Sequence, residues 1–390
     1  MRFSPGTFSS AAHAAPAGSR HDANNIDILR ALAVLAVVAH HYAVYSGVSV
    51  PLLGPQGGGM GVQLFFLISG YLIVQSAGKH SVGEYVLARF FRIFPVYWLA
   101  LCSFMVVDVL LAPPMGSILM AHRAAFVLNL LNLQQLSVVS TMFLDRTHVG
   151  WTLTVELFWY TIVLMLCLVQ RWLRWRHFWL LMLALTVAIG AKWVIESDRG
   201  TFNHWFTSQA GANSVAFEGT VRHALVNSSI AGYLYFFVLG ATMYRYEATL
   251  RRIPAYLLWP VAALVLCFWE RTPGWTDLAP NPITAVGLGC LFLLILRARP
   301  IQEPVLRYIG KVSYSIYLVH AKVMVLAYLQ FKLSGPWVTI AVFALIGVLA
   351  TAMFYGVERP MIRLGQRLRQ RMAPPPGAPQ PNAAQSAQSV

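Results

Sequence analysis

Ten stretches of this chain approach the ~20 mostly apolar residues that a helix needs to cross a hydrocarbon core. They are residues 26–46, 59–77, 94–112, 149–169, 177–195, 229–245, 255–270, 282–297, 310–330 and 337–357. This pattern predicts an all-α, polytopic membrane protein with about ten spans. An eleventh stretch, 118–136, carries Arg123, Asn129, Asn132, Gln134 and Gln135 and reads as a re-entrant or surface helix. Only 11% of residues are charged, against about 25% in a soluble domain, and the mean hydropathy is +0.60.

The net charge of +15 is explained by topology and not by a nucleic-acid partner. With ten spans and both termini cytoplasmic, 21 of the 29 Lys and Arg residues fall on the cytoplasmic side, as orientation in a bilayer requires. Counting 118–136 as a span reverses every later loop and scatters that bias. The cysteines Cys102, Cys167, Cys267 and Cys290 all lie in apolar stretches. They read as small buried side chains, with no disulfide and no metal-ligand spacing. Residues 1–24 contain no apolar core, so no cleavable signal peptide is expected and the segment reads as disordered. Residues 25–363 form the transmembrane domain, and 364–390 read as a basic, then low-complexity, disordered tail.

Ionisable groups inside a bilayer are costly and therefore informative. Arg30 and His41 are eleven residues apart in the first span, which places them on one helix face roughly 16 Å apart along the axis. His40 points about 80° away from Arg30, so His41 is the expected reactive member. The alternative is a snorkelling arginine and a histidine satisfied by a neighbouring helix. In the second span Gly57, Gly58 and Gly59 read as an outer loop without the ending of a phosphate loop. Ser69–Gly70 reads as close helix packing or a polar lining. Arg89 and Arg92 share a face before Pro95. Either they set topology at lipid phosphates or they hold a phosphorylated cytoplasmic cofactor.

Two polar stripes follow. Thr152, Glu156 and Tyr160 fall at i, i+4 and i+8 in the fourth span, and Ser313, Tyr317 and His320 at i, i+4 and i+7 in the ninth. His148 reads as an interfacial residue, and Glu358–Arg359 as an ion pair at the cytoplasmic edge.

Together these segments resemble membrane acyltransferase family 3, the O-acyltransferases of carbohydrates and some other acceptors. The arginine, ten residues, histidine opening is Arg30 to His41. The Gly-x-x-x-Phe-Phe-x-x-Ser-Gly stretch is Gly61 to Gly70. Arg89-x-x-Arg92 precedes Pro95 and Tyr97. Trp151 to Tyr160 carries the Trp-Ser-Leu-x-x-Glu-x-x-Phe-Tyr pattern, with Thr152 for the serine and Trp159 for the phenylalanine. Ser313 to His320 and Glu358 to Pro360 complete the series. The form resembled is the stand-alone one, without an esterase-like C-terminal domain.

The resemblance implies an acyl-CoA donor on the cytoplasmic side, acetyl-CoA by default, with no metal. It implies a glycan or glycolipid acceptor and a bacterial inner-membrane location. His41 is then the general base, Glu156 orients it or positions the sugar, and Arg30 holds the pantetheine path or a carboxylate. Arg89 and Arg92 bind CoA phosphates, while Ser69, Trp151, Tyr160, Ser313, Tyr317 and His320 line the channel. Two rival functions carry the same charges: a proton-coupled exporter and a membrane scaffold.

Overall fold

The computed structural model describes residues 20–50, 57–77, 81–111, 114–136, 140, 144–170, 178–198, 230–268 and 282–372. Its first helix, α1 (Arg20–Ser46), contains both Arg30 and His41. It packs along α2 (Gly57–Ala77), which is buried over most of its length and also contacts the fourth and sixth spans of the sequence reading. The glycine run expected as a loop is the first turn of α2. A Cβ on Gly58 would stand 2.5 Å from the His40 ring, so the missing side chain is what lets α1 and α2 close on each other.

Helix α3 (Val82–Leu111) starts twelve residues before the expected span. A reciprocal cap explains the early start: Ser81 N donates to Glu84 Oε2 at 2.7 Å and Glu84 N to Ser81 Oγ at 3.4 Å. Arg89, Arg92 and Pro95 therefore lie within the helix and not at its entrance. Cys102, on the same helix, is exposed on the outer surface of the bundle and not buried as expected, whereas Cys290 is half-buried. The side chains of Cys167 and Cys267 lie outside the described residues.

The polar stretch 118–136 is broken into α4 (Pro114–Ala121), α5 (Arg123–Leu130) and a 3-10 turn at Gln134–Leu136. Each piece is too short to cross a bilayer. Then come α6 (Gly150–Gln170), α7 (Phe178–Asp198), α8 (Ile230–Arg245), the one-turn α9 (Glu247–Leu250), α10 (Ala255–Phe268) and α11 (Pro282–Arg297). Helix α8 lies against α2 and α7, α6 meets α2 from another side, and α10 pairs with α11.

The expected ninth span is broken. Helix α12 (Pro304–Lys311) meets α13 (Ser313–Met324) at an angle of 76°, and α13 runs on through a π-helical turn at Val325–Gln330. Gly310 lets α12 lie against α1, because a Cβ there would lie 1.9 Å from the Asp27 carbonyl oxygen of α1. Helix α14 (Pro336–Met353) continues through a π-turn, Phe354–Glu358, into α15 (Arg359–Met372). Part of the tail expected to be disordered is thus helix, and Gly365 seats it against Phe91 of α3. The expectations for 1–19 and 373–390 lie outside the described residues.

All regular elements among the described residues are helical. Among the described residues, four helices are long and apolar enough to cross a membrane, or five if the bent pair counts as one span. Shorter apolar helices stand at Gly150–Leu166, Phe178–Gly190, Ala255–Val265 and Ile283–Arg297.

Helices α2 and α8 approach each other closely from both sides. A Cβ on Gly70 would sit 2.0 Å from the Phe237 carbonyl oxygen, and one on Gly240 would sit 2.1 Å from that of Leu67. Gly70→Val must force these backbones apart, at an expected cost of about 1–3 kcal/mol. A lowered thermal midpoint in detergent is the expected result. Gly347→Val is the control, since nothing lies within 4 Å of that position.

Candidate active site

Five helices converge on one internal cavity of about 110 Å³. Helix α1 contributes Arg30, α2 Ser69, α3 Arg89 and Arg92, α6 Glu156 and Tyr160, and α13 Ser313 and Tyr317. All eight are residues singled out in the sequence. The whole fourth-span stripe and the first two residues of the ninth-span stripe thus face the cavity, as their helical spacing requires.

Glu156 is fully engaged on one oxygen. Ser69 Oγ donates to Oε1 at 2.7 Å, and the Tyr160 hydroxyl donates to the same atom at 2.5 Å. The i, i+4 spacing of Glu156 and Tyr160 produces the second bond directly. Ser69 supplies a lining hydroxyl while Gly70 makes the helix contact, so both readings of that dipeptide hold. Thr152 Oγ1 donates to the Val149 carbonyl at 2.9 Å, which leaves its lone pairs to accept the Tyr317 hydroxyl at 2.8 Å. That bond ties α6 to α13.

The three arginines differ in compensation. Arg30 pairs with Asp27 at 3.2 Å, one turn back on α1. Arg92 pairs with Glu358 at 3.3 Å, an ion contact without hydrogen-bond alignment at Oε1. Glu358 is completely buried, and its other oxygen accepts from Ser315 Oγ at 2.7 Å. Its partner is therefore Arg92 and not the adjacent Arg359, which instead stands over the Tyr355 ring. Arg89 has no ion-pair partner among the described residues. Its guanidinium lies over the Tyr85 and Tyr160 rings at 5.6 and 5.5 Å, and its buried Nε has no hydrogen-bond partner. Cation–π contacts place this charge without neutralising it.

His41 and His320 lie outside the cavity lining, joined to it through Tyr317, whose ring is centred 5.7 Å from that of His320. His41 Nδ1 lies 3.2 Å from His320 Nε2 and 3.0 Å from the Val37 carbonyl. His320 Nδ1 lies 2.8 Å from the Tyr317 carbonyl. Carbonyls only accept, so this network assigns the ring protons. His320 carries its proton on Nδ1 and offers Nε2 as acceptor. His41 then carries its proton on Nδ1, shared between His320 and Val37. Its Nε2 is left as the lone-pair nitrogen. The group that orients His41 is therefore His320, and the hydrogen bonds of Glu156 go elsewhere. Trp151 also lies outside the cavity, tilted against Tyr233 at 5.5 Å.

Sequence reasoning missed a second polar cluster. Asp108, near the end of α3, takes Arg146 on one oxygen and the buried Lys322 of α13 on the other. A lysine two residues past His320, in an apolar stretch, was the available signal. Its partner, 214 residues away, was not readable locally. No three His, Cys, Asp or Glu side chains converge as a metal site among the described residues.

Fold and site together define a helical, multi-pass membrane protein whose arginine-bearing polar cavity is capped by a histidine pair. The acyltransferase-3 profile, described as an acyltransferase domain, matches residues 23–357. The chain is 26% identical over 325 residues to "Nodulation protein 10" of Rhizobium leguminosarum bv. viciae, covering 77% of this chain and 83% of that one. No solved structure matches it. The chain belongs to the acyltransferase-3 family and is a membrane acyltransferase.

Glu358→Ala leaves Arg92 facing the cavity without its partner. The expected loss of stability is about 3 kcal/mol, the low end for a broken buried pair, because Arg92 keeps a third of its surface open. Thermal unfolding in detergent checks this, and Arg359→Ala at the exposed neighbouring position should change little.

Proposed function

We propose that this protein moves an acyl group, acetyl by default, from cytoplasmic acyl-CoA to a hydroxyl of an envelope or exported glycan. In this reading the helices form ten spans with both termini cytoplasmic, in a bacterial inner membrane. The single observation that supports this chemistry is the pair of contacts at His41 Nδ1, to His320 Nε2 and the Val37 carbonyl. An imidazole whose Nδ1–H is held by His320 and Val37 presents Nε2 as a base.

In the proposed reaction His41 Nε2 accepts the proton of the acceptor hydroxyl as its oxygen attacks the thioester carbonyl carbon. The carbonyl becomes an oxyanion, the C–O bond forms, and collapse breaks the C–S bond. The departing sulfur takes the proton back from His41, which returns to its starting state. Arg89, a cavity arginine with no carboxylate partner among the described residues, supports a donor bearing phosphates. Arg92 and Arg30 are already paired and serve as secondary anchors. Glu156 fixes Tyr160 beneath Arg89 and so positions the donor site.

The test uses protein in nanodiscs, radiolabelled acetyl-CoA and a panel of lipopolysaccharide, exopolysaccharide and lipo-oligosaccharide fractions. Removing a general base costs ~10²–10⁴-fold, so His41→Ala should lose label transfer by that factor while remaining folded. Arg89→Gln should raise the KM for acetyl-CoA by about tenfold or more, the worth of a hydrogen bond to a charged group. Full activity in His41→Ala sinks the assignment. Glycan movement across the membrane without acyl-CoA consumption would instead establish the exporter.

A further inference from the structure

His148 violates two local rules at once. Its φ of 62° lies in the left-handed region, which costs a side-chain-bearing residue about 1–3 kcal/mol unless its surroundings enforce it. Its Nε2 is also buried without a hydrogen-bond partner, an arrangement that calls for a reason.

The surroundings explain the backbone. Asp145 Oδ1 accepts both Thr147 N at 3.2 Å and Thr147 Oγ1 at 2.6 Å. His148 N donates to the Asp145 carbonyl at 3.4 Å, and Val149 N donates to Thr147 Oγ1 at 3.4 Å. Arg146 anchors the turn from outside through Asp108, which Lys322 of α13 also holds. The turn is thus clamped at both ends, immediately before the helix that carries Glu156.

None of this requires an imidazole. Glycine or asparagine would meet the same φ at lower cost. What the imidazole adds is a buried nitrogen without a hydrogen-bond partner, on a turn tied through Asp108 to Lys322, two residues past the His320 that contacts His41. Burial first, then the Lys322 and Arg146 cations, push this imidazole down to about 4. It is uncharged at neutral pH, and an uncharged ring nitrogen suits a neutral hydroxyl better than a carboxylate or phosphate.

We propose that His148 is an acceptor-binding residue, whose Nε2 hydrogen-bonds a second hydroxyl of a polyhydroxylated acceptor while His41 acts on the first. This rests on the acyltransferase reading above. It assigns the two hydroxyls to two elements: one to His41 on α1, the other to the clamped turn before α6. An acceptor with a single hydroxyl would gain nothing from the second contact.

The assay described above tests it, with the labelled glycan fraction as probe and acetyl-CoA saturating. His148→Gly keeps the backbone conformation and removes the ring, and His148→Asn keeps a hydrogen-bonding group at a position it tolerates. The KM for the glycan should rise about tenfold in His148→Gly, as loss of one hydrogen bond predicts. His148→Asn should recover part of it. The KM for acetyl-CoA should hold, and the thermal midpoint should stay level or rise. An unchanged glycan KM in His148→Gly overturns the proposal, as does a loss that appears equally in both KM values with a lowered midpoint. A wild type that transfers label to nothing overturns the acyltransferase reading itself, and this proposal with it.

Discussion

Buried charge is the constraint on which this structure depends. An unpaired charge in an apolar interior is costly, and two buried carboxylates here are matched by cations from other elements. Glu358, wholly buried, takes Arg92 and Ser315 and so joins α3, α13 and the end of α14. Asp108 gathers Arg146 and Lys322 and so joins α3, the turn before α6, and α13. These two carboxylates hold α13 at Ser315 and Lys322, and Tyr317 and His320 lie between those points. Arg89 breaks the pattern. Its charge is placed over two tyrosine rings with no counter-ion among the described residues, which is the condition under which a cation can take an anion from outside.

Backbone irregularity serves the same end. The π-turn at Phe354–Glu358 inserts one extra residue per turn where α14 passes into α15, and Glu358 is its last residue. From the next residue, Arg359, the helix is a basic, amphipathic surface element. The sharp bend before α13 is comparable: α12 lies across α1 by virtue of Gly310, and Ser313 enters the cavity at the first residue after the break. Helix α2 works through absence of side chains. Gly58 and Gly70 draw it onto α1 and α8, and this proximity leaves Ser69 facing Glu156 at hydrogen-bond distance.

Local periodicity made much of the cavity legible. Arg30, Glu156, Tyr160, Ser313 and Tyr317 were identified from helical spacing within apolar stretches, and that spacing aimed them inward. Helix boundaries were less readable, because signals outside the apolar run set them. The Ser81–Glu84 cap lies twelve residues ahead of the apolar stretch it extends, and nothing in the hydropathy of 310–330 marks Val312 as a corner. Pairings were least readable. Glu358 beside Arg359 in sequence suggested a local pair, yet its partner is on α3. The same distance in sequence concealed His320 as the partner of His41 and Lys322 as that of Asp108. Such contacts depend on which helices are neighbours, and one sequence without relatives to compare does not contain that information.

The histidine pair itself has a physical logic. A carboxylate against His41 would orient the ring, but it would place a further charge in the apolar interior, where Asp108 and Glu358 already need cations of their own. A neutral imidazole performs the orientation without that cost. The direction of the hydrogen bonds follows from two backbone carbonyls, those of Val37 and Tyr317, each one helical turn before the ring it meets. The tautomer of the proposed base thus follows from i–3 and i–4 carbonyls together with the His320 contact. A neutral orienter also stabilises the imidazolium less than a carboxylate would. In the proposed reaction that favours quick return of the proton to the leaving sulfur over its retention, consistent with direct transfer between the two substrates and no long-lived charged enzyme form.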